Sequence, residues 1–329
     1  MRRMALLYIG LGMLAAGFSL SVDAQGRVVK TDPYEIKPPT KAQIQAAKTL
    51  NVELATKAKQ AAPKLHKGET AYFYLFSAFK TKAEDKLFSD KAEEMHKKLC
   101  ERFKVNPRNV WMDKCPIFAF ENAKQYGAFC KSLGAGEDMA ELSAGFMLSR
   151  SDGVVVIVLN AATDEGQFYN TMVHEGTHAF MARFVTTRNL PPWVNEGIAE
   201  HMCAWVVENS RAKTLWQEAT KQVLAGEKKP ESVFNGVNLD AFDYGMAHAL
   251  VRYMIEKDGN AFSKFIRMLK QGESEEKALK SAYNTDRAGL IKAWRGVAEK
   301  MLDAAEKEAE KAAEKAAEKA EKEKAAKKE

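Results

Sequence analysis

The hydrophobic pattern changes period at Asn160, and that change restricts the possible folds more than any other feature of the sequence. Upstream, residues 71–76, 109–120 and 153–159 are short aromatic or β-branched runs, the last bounded by Gly and Asn, and each reads as a strand. Helical spacing separates them at 41–59, 82–103 and 121–133, where Leu87, Phe88, Met95 and Leu99 mark one face of the longest. Downstream the period is helical throughout, near 165–185, 192–208, 211–225, 241–257 and 261–270, and no further strand run is evident. Strands first and helices second predict an α+β protein whose sheet packs against a helical lobe. The expected divisions are a leader that becomes helical at 25–68, an α/β subdomain at 69–160, a helical lobe at 161–302 and a tail at 303–329.

Composition removes several classes of function. The chain has 329 residues, 46% of them hydrophobic, a globular balance with length enough for about two domains. Fifty Lys and Arg against 44 Asp and Glu leave a net charge of +6, too thin an excess to argue for nucleic acid. The only long apolar run, 4–20, follows Arg2 and Arg3 and ends near Val22 and Ala24, small residues at the positions a signal peptidase reads. Residues 1–24 therefore read as a cleavable signal peptide, with a secreted or periplasmic mature protein and no stable membrane span; an uncleaved anchor is the alternative. Cys100, Cys115, Cys130 and Cys203 all lie in the exported part, where they form disulfides of undetermined pairing or remain buried thiols. The tail is almost entirely Ala, Glu and Lys, which reads as a solvated helix or a helix for a protein partner.

His174-Glu175-Gly176-Thr177-His178 lies within one of the helical segments. Residues four apart project from the same helix face, so the two imidazoles can converge on one zinc ion. Glu175 then stands beside the metal as a general base and acid. A catalytic zinc takes three protein ligands and keeps a position open, so a third donor is required. The metzincin continuation fails because Met181 and Phe184 stand where Gly and His are needed. Pro192 instead opens a second helix carrying Glu196, the expected third ligand. Glu200, one turn on, is placed to orient a liganding histidine from behind; the alternatives are that it is itself the ligand or a surface acid. His201 reads as a packing or surface residue.

The linked motifs, His-Glu-x-x-His followed by Pro191-Pro192-Trp193-Val194-Asn195-Glu196-Gly197-Ile198-Ala199-Glu200, resemble those of gluzincin metallopeptidases, especially secreted, peptidase-MA-like bacterial members. The resemblance covers roughly a third of the chain, and the stretch from His178 to Glu196 is one residue shorter than in gluzincin aminopeptidases. It implies a zincin-like fold with the active site between the strand-containing subdomain and the helical lobe. The segment beginning Asp243-Tyr244-Gly245 is similar to the gluzincin helix whose leading Tyr stabilises the oxyanion, which implies that role for Tyr244, with His248 as the rival donor. Tyr253 fits the core, as do Trp193, Phe180, Met181, Ile198, Met202 and Leu250, while Gly176 and Gly197 suit close backbone approach beside the metal. The expected function is a zinc metallopeptidase acting on a peptide or protein substrate. A non-catalytic envelope protein that binds a partner on the same scaffold is the second possibility.

Overall fold

The structure, a computed structural model, describes residues 19–22, 28–31, 36–134, 143–150, 152–161, 164–236 and 239–326. Most of the apolar leader and its expected cleavage site lie outside these residues. Strands β1 (Ser19–Val22) and β2 (Val28–Thr31) form an antiparallel pair within a separate unit, 1–35; everything below concerns the unit from Ile36 onward.

Five strands make its sheet, in the order β3 (His66–Glu69), β4 (Phe73–Ser77), β5 (Cys115–Phe120), β7 (Val155–Asn160), β6 (Gly145–Ser149). The three central strands run parallel and both edges are antiparallel. Side chains alternate across a strand, and this sheet uses both faces. Phe73, Leu75, Ile117, Ala119, Ile157 and Leu159 point into the main core, whereas Phe76, Phe118, Phe120, Val156 and Val158 enter a second core. Helices α1 (Lys41–Ala61) and α3 (Ala123–Ser132) cover the second face. The main core is closed by α2 (Lys82–Phe103) and α4 (Glu165–Arg183).

Capping residues set several of these helices. Thr40 with Gln43 and Thr81 with Glu84 form reciprocal capping boxes before α1 and α2, and Asp164 accepts from Gln167 N–H to start α4. Pro192 occupies the first turn of α5 (Pro192–Val206), where its missing N–H costs no helical bond. Helices α6 (Ala212–Leu224), α7 (Ala241–Lys257), α8 (Gly259–Lys270), α9 (Glu275–Tyr283), α10 (Arg287–Arg295) and α11 (Ala298–Ala326) complete the lobe. α7 lies against both α5 and α6, and glycines make the approach possible. A Cβ on Gly197 would stand 2.5 Å from Ala247 O, and one on Gly245 would strike Leu215 O.

The strand-then-helix order is the one expected, with additions. β3 crosses the expected 68/69 division, so α1 and β3 belong to the sheet layer rather than to a separate leader. β6 lies in a stretch to which the sequence assigns no element, and α9 and α10 lie between the helix expected at 261–270 and the helical tail. All four cysteines are buried free thiols. Met301, Leu302 and Ala305 are buried, so the first turns of α11 belong to the core, and from Glu306 on the residues whose burial is described are exposed. Among the described residues no helix is long and apolar enough to cross a membrane.

Candidate metal centre

Helices α4 and α5 bring three donors together. His174 Nε2 lies 3.1 Å from His178 Nε2 and 3.1 Å from Glu196 Oε2, and His178 Nε2 lies 3.3 Å from the same oxygen. Tetrahedral ligands about 2.0–2.1 Å from a zinc ion stand about 3.3–3.4 Å apart. The donor set, two imidazole nitrogens and a carboxylate oxygen, fits a zinc-sized ion in both spacing and chemistry.

Packing behind the donors fixes where they point. Gly176 presents no side chain to α2, and Met95 fills the space its Cβ would take. Gly197 does the same for α5 against α7. The connection between α4 and α5 turns abruptly: Val185 has φ of 64°, a left-handed conformation that β-branched residues rarely adopt. Lys270, at the end of α8, ties both sides of this turn by donating to Met181 O at 2.6 Å and Arg188 O at 2.5 Å.

Glu200 is buried and its Oε1 lies 3.1 Å from His174 Nδ1, on the side of the ring away from the cluster. With Nδ1–H donating there, Nε2 offers its lone pair to the centre. Burial opposes protonation of His174, but contacts with Cys203, Glu196 and Glu200 outweigh it and raise the ring's pKa well above its usual value. Burial likewise pushes Glu196 up, yet hydrogen bonds from both imidazoles win and hold its carboxyl far below the ordinary range. His178 is less supported, because its buried Nδ1 has no partner among the described residues. Glu175 faces β6, where the Met147 N–H donates to it; burial, reinforced by Glu196, raises its pKa against the opposing imidazoles.

Two cavities open from this point and share Glu175. One, of about 300 Å³, is lined by His174, Glu200, Cys203, Arg211 and Tyr244. The other, of about 670 Å³, is lined by Met147, His178, Arg188, Glu196 and Lys270. The Tyr244 ring stands 6.3 Å from that of His174, and burial followed by the Glu196 charge raises its pKa, keeping the phenol a proton donor.

The structure thus brings His174, Glu175, His178, Glu196, Glu200 and Tyr244 to one place. His248, the rival donor, is not there: it is buried, and its Nδ1–H donates to Ala212 O at 3.1 Å. His201 packs between Trp205 and His248, and burial lowers its pKa to about 3. Trp193, Phe180, Met181, Ile198, Met202, Leu250 and Tyr253 are all core. Sequence reasoning missed Cys203, which contributes to the raised pKa of His174 while its thiol donates to Asn170 O at 3.3 Å. A position seven beyond Glu196 and three beyond Glu200 on a helix was the available signal.

Residues 140–300 match the model of the Peptidase MA superfamily. No curated protein matches the chain. The match supports a zincin-like peptidase family for this part of the chain and a metallopeptidase-like, hydrolytic function, and it spans the His174, His178 and Glu196 cluster that could bind a metal.

Proposed function

We propose that this protein is an exported zinc metallopeptidase that cleaves peptide bonds, with His174, His178 and Glu196 as metal ligands. The observation that carries the reading is the mutual spacing of three donors from two helices, 3.1 to 3.3 Å, with Glu175 alongside. A divalent ion held there supplies Lewis acidity to a water and to the substrate carbonyl.

The chain's own groups do the rest. Glu175 takes a proton from the attacking water and returns it to the leaving amine, and its raised pKa brings the carboxyl closer to the range in which one group serves as base and then as acid. Tyr244 donates its hydroxyl hydrogen to the oxygen that gains negative charge. Glu200 positions His174 by accepting from Nδ1–H, and Met147 N–H orients Glu175. The outer edge of β6, which has no strand partner among the described residues, offers backbone hydrogen bonds to an extended peptide. Export follows from the signal-like segment 1–24.

The deciding experiment measures zinc content and peptide hydrolysis together. Glu175→Gln is expected to keep zinc and lose about 10²–10⁴-fold in hydrolysis. Glu196→Ala is expected to lose both. Hydrolysis at the wild-type rate in the first variant removes Glu175 from its role, and a wild-type protein that takes up no zinc removes the reading.

A further inference from the structure

The two cavities that meet at Glu175 carry cations on both sides of the centre. Arg211, at the head of α6, lines the smaller one. Arg188, in the α4–α5 connection, and Lys270 line the larger one. Both arginines are exposed, and neither guanidinium has a hydrogen-bond or ion-pair partner among the described residues. The ammonium of Lys270 is buried against two backbone carbonyls, with no carboxylate beside it among those residues.

The acids tell the same story from the other side. Among the described residues, Glu175, Glu196 and Glu200 are the only acids that line either cavity: Glu196 belongs to the metal cluster, Glu200 is engaged with His174 Nδ1, and Glu175 stands beside the imidazoles. Among the described residues no other carboxylate lines either cavity to neutralise the arginines. A guanidinium presents a planar fork of donors that matches a carboxylate bidentately, and such charge-assisted bonds are among the stronger polar contacts. A neutral or basic peptide would leave both forks unused, whereas carboxylates on the substrate would fill them.

We propose that the cleft is built for an acidic peptide, with Arg211 and Arg188 each holding a substrate carboxylate, one on either side of the bond to be cleaved. The inference rests on the peptidase reading, which makes the two cavities halves of one cleft. Lys270 adds positive potential behind Arg188 while holding its backbone in place.

The test is binding of fluorescently labelled octapeptides to the full zinc-loaded chain carrying Glu175→Gln, read by anisotropy. The probes are an alternating Ala-Glu peptide and its Ala-Gln counterpart, each with a free and an amidated C-terminus. The Glu peptide is expected to bind about tenfold more tightly for each arginine engaged. Arg188→Gln and Arg211→Gln should each remove part of that preference and the double variant all of it. Both side chains are exposed, so unchanged melting temperatures would certify the variants. Raised salt should erode the preference, because exposed ion pairs are screened. The Glu preference is expected with the free and with the amidated C-terminus alike, because the two peptides of each pair share that terminus. A loss of affinity on amidation that is equal for both peptides, with no Glu preference, assigns recognition to the terminal carboxylate and overturns the proposal. Equal affinity for Glu and Gln peptides, or a preference unchanged in the double variant, overturns the proposal. Hydrolysis by the wild-type protein separates the two ideas: equal cleavage of both peptides sinks the acidic preference alone, whereas selective binding without cleavage sinks the peptidase reading alone.

Discussion

Glu200 and His178 show how unequally the two histidines are held. His174 is gripped through Nδ1 by a buried carboxylate, while His178 presents an unpartnered Nδ1. Removing the Glu200 carboxylate frees the His174 ring and its tautomer without touching a ligand. Glu200→Ala is therefore expected to weaken zinc binding about 10–100-fold, measured by competition with a chelating dye, while the fold persists. An unchanged zinc affinity would reduce Glu200 to a packing acid. The convergence of His174, His178, Glu196 and Glu175 was legible because their spacing follows from helical geometry. Cys203 and Arg211 were not, because a thiol on a helix and an arginine at a helix start carry no signal until the neighbouring helix is in place. His248 misled for the converse reason: sequence puts it one turn beyond Tyr244 on α7, but the packing of that helix turns its ring toward Ala212.

Packing of α5 on α7 sets the distance between Glu196 and the imidazoles. A Cβ on Gly197 would stand 2.5 Å from the backbone oxygen of Ala247 and 2.6 Å from Val251 Cγ2, and a backbone carbonyl in a packed helix cannot step aside. At Gly176 the obstacle is the end of a methionine side chain, which can. Gly197→Ala is accordingly expected to cost about 1–3 kcal/mol in urea unfolding and to lower zinc affinity. Gly176→Ala should cost less, and the reverse order would contradict this account. Helices α2, α4, α5 and α7 were readable from their period, with Pro192 marking the start of α5. Strand β6 was not, since Gly145–Ser149 is a short edge strand with exposed Leu148 and a half-buried Met147 in place of a continuous apolar run. Strand β3, His66–Glu69, is polar along its length and gains its identity only by pairing with β4.

Three histidines outside the centre make the molecule sensitive to acid. His96 is buried between Tyr72 and Trp111, and burial lowers its pKa to about 4; His201 is lowered to about 3, and His248 is pushed well below its usual value. Unfolding restores their ordinary pKa near 6.5, so between that pH and about 4 the unfolded chain binds protons that the folded one refuses. Stability is then full above about pH 6.5 and lost as pH falls toward 4, by up to about 1.4 kcal/mol per pH unit for each histidine. In metal-free protein the raised pKa of His174 works in the opposite direction, so the clean measurement is the difference between wild type and His96→Asn in urea midpoints from pH 7 to 5. A flatter profile is expected in the variant, and an identical one would show that His96 does not resist protonation. Removing residues 312–329 should leave both midpoint and hydrolysis unchanged, because Ala305 is the last buried residue among those described in α11. The matched segment 140–300 omits α2, yet α2 supplies Met95 against Gly176, Phe88 against Phe168 and Phe103 against Phe184, and β7 loses its neighbour β5 at the same cut. Excised alone, that segment would carry every donor of the proposed metal site while exposing the oily flank of its own motif helix, so the hundred or so residues ahead of it act as an inseparable back plate.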